Sequence, residues 1–209
     1  ATALADITIE FPSQQVTAVI GRSGCGKSTL LRVCNGLVRP DSGEVSLDGA
    51  NIDYQSLPSL RRTIGYAVQG NGLFPHLTAA DNITLVAKLA DWTPQAIASR
   101  LETLRELTHL EPQLLSRYPH QLSGGQQQRV GLCRAMMLQP AVLLLDEPFA
   151  AVDPITRRDI HSSLLDLVAA EPTTTLLVTH DMREALLLAD HIILMDSGRV
   201  LVKFPGIPI

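Results

Sequence analysis

The segment from Gly21 to Thr29 has residue types and a spacing suited to binding phosphate. Its sequence, GRSGCGKST, matches the pattern G-x-x-x-x-G-K-[ST], follows the apolar run Val16–Ile20 and precedes a helical pattern that continues to Leu37. Glycines let backbone N–H groups turn towards phosphate oxygens, and a helix N-terminus adds partial positive charge. The candidate nucleotide-binding residues are Gly21, Arg22, Ser23, Gly24, Cys25, Gly26, Lys27, Ser28 and Thr29.

Two side chains of this segment are predicted to act on the phosphates directly. Lys27 would reach the β- and γ-phosphates, which makes it a candidate catalytic residue, and the Ser28 hydroxyl would be one ligand of Mg²⁺. A glycine-rich turn that only caps a helix is the alternative, but the chain has just three lysines and Lys27 is one of them. Cys25 is predicted to fill space rather than to act as a redox switch.

Two carboxylates follow the apolar run Val142–Leu145. Asp146 and Glu147 would end a buried strand, at the edge of a parallel sheet where phosphate-binding loops also lie. Asp146 is predicted to hold Mg²⁺ through water, and Glu147 to polarise the water that attacks the nucleotide. The alternative is an acidic strand end that only caps the turn at Pro148, and the phosphate-binding segment argues against it.

A second helix start could also contact phosphate. Ser123 is a natural N-cap for a helix that runs towards Leu138, and the two glycines after it allow an anion to approach. An ordinary capped helix accounts for the serine but not for the Gly-Gly-Gln that follows. A second exposed helix N-terminus suggests a nucleotide held from two sides, for example by two chains. The candidate binding residues are Ser123, Gly124, Gly125 and Gln126.

The elements that position these residues are predicted from the alternation of short β-rich runs and helical stretches. This alternation is typical of an α/β fold with a parallel sheet and crossover helices. Residues 75–140 lack a convincing strand and are predicted to form a helical lobe inserted into a single domain, residues 1–209. Thr78, Thr93 and Asp153 are predicted helix caps. The predicted strands are Val16–Ile20, Val45–Leu47, Ile64–Val68, Val142–Leu145, Thr175–Thr179 and Ile192–Met195.

Charge and composition argue against several classes of protein. The net charge is −4 and the isoelectric point is near 5.8, without a cluster of Lys and Arg, so no nucleic acid is expected as a partner. Cys25, Cys34 and Cys133 lack metal-binding spacing, which argues against disulfides and zinc and fits a reducing cytosol. No apolar run approaches the roughly 18 residues that span a bilayer, so a role at a membrane would need another subunit.

Together these motifs resemble the ATP-binding cassette (ABC) ATPases, over nearly the whole chain. The resemblance implies a P-loop NTPase core with a mostly parallel sheet and an inserted helical lobe, with ATP and Mg²⁺ as cofactors. Gln69 matches the glutamine that contacts Mg²⁺ in catalysis and links to the membrane partner, and His180 matches the histidine at the γ-phosphate. Ala151-Val152-Asp153 matches the loop that crosses the dimer, with Val where Leu is more usual.

The resemblance also implies partners. In the family, two cassettes form a head-to-tail dimer, with ATP between the Gly21–Thr29 segment of one copy and Ser123–Gln126 of the other. Single cassettes usually serve importers, so transmembrane permease subunits and a substrate-binding protein are expected. The chain would then lie at the cytoplasmic face of the membrane, held there by the permeases.

Further segments are similar to the importers of glycine betaine, choline or carnitine. The resemblance predicts the motor subunit of an importer for such quaternary amine osmoprotectants, with Leu73–Pro75 in the groove that receives a permease helix. An importer for another solute, such as an amino acid, stays open, because selectivity lies in the permease and the binding protein. The similar segments are Arg62–Tyr66, Gly72–Thr78, Asp81–Ile83, Gln126–Arg129 and Asp153–Thr156.

Other classes of the superfamily match less well. A DNA-repair ATPase would carry a long coiled coil between Ser28 and Ser123 or zinc-binding cysteines, and a translation-associated member two cassettes with basic surfaces. An exporter would be fused to transmembrane helices. A non-catalytic nucleotide-binding module stays open as an alternative, although both candidate carboxylates, Asp146 and Glu147, are present.

Adenine recognition is the departure from the family pattern that matters most. Family members carry an aromatic residue on an early strand that stacks on adenine, and this chain begins just downstream of that position. Phe11 lies too close to the first predicted strand to replace it. The residue that contacts adenine is therefore unassigned.

Overall fold

In the part of the chain that the structure describes, residues 2–70, 72–150 and 152–206, six strands form one sheet and two short strands form another. The structure is a computed structural model. In chain order the strands are β1 (Val16–Gly21), β2 (Ser46–Leu47), β3 (Ala50–Asn51), β4 (Ile64–Ala67), β5 (Val142–Asp146), β6 (Thr174–Thr179), β7 (His191–Asp196) and β8 (Arg199–Pro205). The main sheet has the order β4-β5-β6-β1-β7-β8, and β2 pairs with β3.

Neighbouring strands of the main sheet run parallel, except β7 and β8, which are antiparallel. The residues of β5 are buried throughout, as a continuous apolar run predicts for a strand covered on both faces. Ile20 pairs with Thr179, and Asp146 with Val178, so the carboxyl ends of β1, β5 and β6 lie at one edge of the sheet. The predicted α/β fold with a mostly parallel sheet is confirmed.

Three of the α-helices follow one another between β4 and β5, and the described residues there form no strand. Thr78 and Thr93 cap two of these helices as predicted, each hydroxyl accepting a hydrogen bond from the amide three residues later. The limits of a separate lobe at residues 75–140 stay a prediction. The helices are α1 (Lys27–Cys34), α2 (Leu57–Arg62), α3 (Ala79–Leu89), α4 (Pro94–Leu107), α5 (Gly124–Met136), α6 (Pro154–Ala170) and α7 (Met182–Leu188).

The helices of the described ranges include none that is both long and apolar enough to cross a bilayer. The three cysteines are free thiols. Burial raises the pKa of the Cys34 thiol to about 12 and that of Cys133 to about 11. Both side chains therefore stay protonated at neutral pH.

Two local predictions are wrong, and one strand was missed. The strand at Val45–Leu47 does not join the parallel sheet, because Asp48 and Gly49, both with positive φ, turn the chain back into the β2–β3 hairpin. The first helix ends at Cys34 rather than Leu37, since Gly36 takes the left-handed conformation. Strand β8 was not predicted, and its residues Leu201 and Val202 are exposed.

A buried arginine ties α4 to the C-terminal ends of α5 and α6. Arg100 is 7% exposed, and its guanidinium forms a two-pronged ion pair with Glu171, including an Nη2–Oε2 contact of 2.7 Å. The same Nη2 donates a hydrogen bond of 2.6 Å to the carbonyl of Met136, at the end of α5. Removing the carboxylate would therefore leave a buried positive charge with only carbonyl partners.

We expect Glu171→Gln to lower the free energy of unfolding by about 3 kcal/mol, because it breaks a buried pair and leaves one charge behind. Urea denaturation followed by circular dichroism measures the change. Glu102→Gln is the matched control, since Glu102 pairs with Arg105 on the exposed face of α4 and its loss should not measurably change stability. Equal effects of the two substitutions would contradict the role given to Arg100.

Candidate nucleotide-binding site

The loop between β1 and α1 surrounds the ammonium group of Lys27. This side chain is only 5% exposed, and its Nζ donates hydrogen bonds to the carbonyls of Gly21 at 2.7 Å and Arg22 at 3.0 Å. Gly26 has φ +106°, and a Cβ there would lie 2.6 Å from the carbonyl oxygen of Ala3. The loop conformation therefore needs glycine at this position.

The side chains of Ser28 and Asp146 meet where α1 begins and β5 ends. The Ser28 hydroxyl donates a hydrogen bond of 3.0 Å to Oδ1 of Asp146. Burial raises the pKa of Asp146, the nearby Glu147 adds to this, and the hydrogen bond from Ser28 opposes it. A hydroxyl and a carboxylate oxygen side by side fit Mg²⁺, which takes few protein ligands and completes its shell with water and phosphate oxygens.

The backbone of Glu147 bends its side chain towards two other loops. Glu147 has φ +47°, unusual for a residue with a side chain, and its amide donates a hydrogen bond of 2.9 Å to the carbonyl of Val178. Its Oε2 lies 3.4 Å from Nε2 of Gln69 and 3.4 Å from Nδ1 of His180. The structure thus brings together the predicted catalytic residues Glu147, Gln69 and His180.

Ser123 lies at the N-terminus of α5, as predicted. Its hydroxyl accepts a hydrogen bond from the amide of Gln126, and the Gln126 side chain accepts one from the amide of Ser123. Ser123 and Gly124 are exposed. Among the described residues no hydrogen bond joins this helix start to Gly21–Thr29, so one chain does not bring the two predicted phosphate-binding segments together through direct polar contacts.

Gly125 has a packing role that sequence reasoning missed. A Cβ at this position would lie 2.2 Å from Cγ2 of Thr156, in the first turn of α6, and Gly125 itself is buried. Of the glycine pair, Gly124 is exposed and Gly125 is buried, and the approach of an anion to both stays a prediction. The absence of a side chain at Gly125 lets α5 and α6 pack closely.

The loop before α6 holds the predicted Asp153. Its Oδ1 accepts a hydrogen bond of 3.1 Å from the amide of Thr156, as expected of a residue that caps the helix starting at Pro154. Ala151, the first residue of the predicted Ala151-Val152-Asp153 segment, lies outside the described residues. Arg157 donates a hydrogen bond of 3.1 Å to the carbonyl of Val152, a contact that sequence reasoning did not identify.

The comparisons with known proteins agree with this arrangement. Residues 4–150 match the family model described as ABC transporter. Since this match covers more than half of the sequence, the chain belongs to the ABC transporter family of ATP-binding cassettes.

Among its relatives are two osmoprotectant proteins and a sulfate protein. The chain is 47% identical to the glycine betaine uptake system ATP-binding protein YehX of Escherichia coli and 43% to the glycine betaine/carnitine/choline transport ATP-binding protein OpuCA of Bacillus subtilis. The sulfate/thiosulfate import ATP-binding protein CysA of Gloeobacter violaceus is 46% identical. Each match covers 95% of this chain, which spans 64%, 52% and 57% of these relatives in turn.

Solved structures show the same fold. A dimeric structure of a bacterial ABC transporter cassette superposes with a TM-score of 0.88 at 31% identity, covering 99% of this chain and 92% of that one. A second structure of that cassette, with the same scores, is a dimer in a post-hydrolysis state bound to ADP and Pi.

We expect Gly125→Ala to lower the free energy of unfolding by about 1 to 3 kcal/mol, because the added methyl overpacks the α5–α6 contact. Thr156→Ser removes the Cγ2 atom that the added methyl would meet. In the double variant, the Cβ added at Gly125 would lie 3.5 Å from Ile160 Cδ1 and 3.6 Å from the Cβ of residue 156, both ordinary contacts. The double variant should therefore match Thr156→Ser alone in thermal unfolding. If Gly125→Ala were as stable as the parent protein, this packing role would be refuted.

Proposed function

We propose that this chain is the ATP-hydrolysing subunit of a binding-protein-dependent ABC importer for quaternary amine osmoprotectants such as glycine betaine, choline or carnitine. The observation that supports hydrolysis most directly is the meeting of Glu147, Gln69 and His180 beside the Ser28–Asp146 pair. The names of the osmoprotectant relatives support the choice of solute.

In this proposal the chain contributes positioning and charge to phosphoryl transfer. Lys27 and the backbone amides of its loop hold the phosphates, while Glu147 accepts the proton of the attacking water. His180 and Gln69, each 3.4 Å from the Glu147 carboxylate, orient that group and contact the γ-phosphate and water. Mg²⁺, held by Ser28, Asp146 and Gln69, would neutralise phosphate charge when bound with ATP.

The second half of the binding site would come from another copy of the chain. Ser123 and Gly124 form an exposed helix N-terminus that, in the part of the chain that the structure describes, has no hydrogen bond to Gly21–Thr29, and such an N-terminus attracts anions. In a head-to-tail dimer this segment and Asp153 would close over the ATP held by the other copy. The dimeric state of a 31% identical cassette supports this arrangement.

The permease subunits would dock beside Gln69, at the cytoplasmic face of the membrane, and a substrate-binding protein would deliver the solute. Phe74 is exposed there, while the buried Asn82 side chain accepts from the Phe74 amide and donates to the carbonyls of Phe74, Leu77 and Thr78. This gives a rigid loop with one apolar side chain available to a partner helix. ATP-driven closure would turn the permeases outward, and hydrolysis would reopen the dimer.

An importer for another solute is the second candidate function. The sulfate/thiosulfate relative is almost as similar as the glycine betaine relative, so identity within the cassette does not by itself select the solute. Uptake of labelled betaine, choline, sulfate and an amino acid should be compared in cells with and without the gene. Gene-dependent uptake of sulfate or the amino acid alone would replace the osmoprotectant assignment and leave the ATPase assignment intact.

We expect Glu147→Gln to bind ATP as the parent does but to slow turnover by about 10²-fold or more, because the general base is lost. A fluorescent ATP analogue measures binding and phosphate release measures turnover. Glu106→Gln, a change at an exposed carboxylate on α4, should leave both unchanged. Turnover at the parent rate in Glu147→Gln would rule out the role of Glu147.

Ser123→Ala is expected to remove one cap hydrogen bond, at a cost of about 1 kcal/mol in stability, and to weaken ATP-dependent dimerisation. Light scattering in the Glu147→Gln background, with and without ATP, measures the dimer. Ser116→Ala, at another exposed serine of the same region, is the control. A dimer of unchanged affinity in Ser123→Ala would argue against a nucleotide held from two sides.

A further inference from the structure

A polar network joins the start of α6 to the residues on both sides of His180. Its members are one arginine and one histidine of α6, the hydroxyl before His180, and two carboxylates after it. None of them belongs to the sequence-predicted site. They are Arg157, His161, Thr179, Asp181 and Glu184.

Arg157 is the residue that reaches two loops at once. One guanidinium nitrogen, Nη2, donates a hydrogen bond of 3.1 Å to the carbonyl of Val152, in the 152–153 loop before α6. The other, Nη1, lies 3.6 Å from Oδ2 of Asp181 and 3.5 Å from Oε1 of Glu184. A single rigid, charged group therefore spans the distance between the 152–153 loop and the residues that follow His180.

The two carboxylates hold the backbone beside His180. Asp181 caps α7, because its Oδ1 accepts a hydrogen bond of 2.8 Å from the amide of Arg183. The Thr179 hydroxyl donates to Oε2 of Glu184 and accepts a hydrogen bond of 3.0 Å from the amide of Asp181. His180, which is 60% exposed, thus projects from a short segment fixed on both sides.

Arg157 supplies the positive charge of this network. Glu184 is 5% exposed, and burial raises its pKa, while hydrogen bonding to Thr179 and the charge of Arg157 act in the opposite direction. His161, stacked edge-to-face on Phe149, faces Glu184 at 3.9 Å. Burial and Arg157 lower the pKa of His161, so its ring is neutral at pH 7 and cannot replace the arginine.

We propose that Arg157 is a positioning residue that transmits the position of the 152–153 loop to His180. The proposal rests on the proposed function, in which Asp153 contacts the second copy of the chain and His180 contacts the γ-phosphate. Docking of the second copy against the loop would move the Val152 carbonyl, and the guanidinium would carry that displacement to Asp181. In this role Arg157 acts through His180 and not on the nucleotide itself.

The test compares Arg157→Met and Arg157→Lys with Arg158→Gln, which removes an exposed positive charge at the next position of α6. Hydrogen exchange of the nucleotide-free protein gives a readout independent of activity. Arg157→Met should speed exchange both in residues 179–185 and in the 152–153 loop, whereas Arg158→Gln should change neither. Unchanged exchange in Arg157→Met would overturn the proposal.

Steady-state kinetics separates positioning from stability. We expect Arg157→Met to lower kcat by about 10- to 10²-fold with little change in KM for ATP, up to the scale of a displaced reacting group, and Arg157→Lys to restore part of it. Adding Glu184→Gln to Arg157→Met removes the uncompensated carboxylate and should restore the melting temperature but not kcat. Recovery of kcat in that double variant would show that Arg157 only neutralises Glu184, and the proposal would fail.

The same variants distinguish a failure of the proposed function from a failure of the role proposed for Arg157. A parent protein without ATPase activity, or a Glu147→Gln variant as active as the parent, would contradict the proposed function. A parent whose activity depends on Glu147, together with an unchanged kcat in Arg157→Met, would contradict only the role of Arg157.

Discussion

The parallel pairing of β5, β6 and β1 is the constraint on which the candidate site depends. Parallel strands end at the same edge, and the register that pairs Ile20 with Thr179 and Asp146 with Val178 places three loop starts side by side. Residues separated by more than 150 positions in the sequence, from Lys27 to His180, follow strands of this one edge. A shift of one residue in either pairing would turn the buried strand residues to the opposite face, so core packing and site geometry are specified together.

The same edge of the main sheet also holds a residue with a strained backbone, Glu147. A left-handed conformation costs a residue with a side chain of the order of 1 to 3 kcal/mol, and it persists only where the surroundings fix it. Here the Glu147 amide donates to the carbonyl of Val178, on the neighbouring strand, while the carboxylate faces Gln69 and His180. An extended residue at this position would continue the line of β5 and lead the carboxylate away from both.

Residues within a few positions of each other were predicted well from the sequence. The spacing of Lys27 and Ser28, the pair Asp146–Glu147 and the N-cap at Ser123 all depend on local backbone geometry, which short patterns encode. The exclusion of a Cβ at Gly125, the ion pair of Arg100 with Glu171 and the contacts of Arg157 were not predicted. Each depends on which helices pack together, and no local spacing carries that information. The β2–β3 hairpin was missed for another reason. Its Asp-Gly turn is visible in the sequence, but its strands are too short to give a recognisable strand pattern.

Helix α6, together with the residue that follows it, contributes to each of these unpredicted side-chain contacts. Its first turn packs on α5 through Thr156 and Gly125, and the residue after its last turn, Glu171, pairs with Arg100, which also binds the end of α5. The two helices are therefore joined near both ends. Ser123 and Asp153 stand just before their N-termini, so any movement that separates these two residues must open a close-packed contact or break a buried ion pair. The close contact at Gly125 and the ion pair of Arg100 with Glu171 therefore oppose separate movement of α5 and α6.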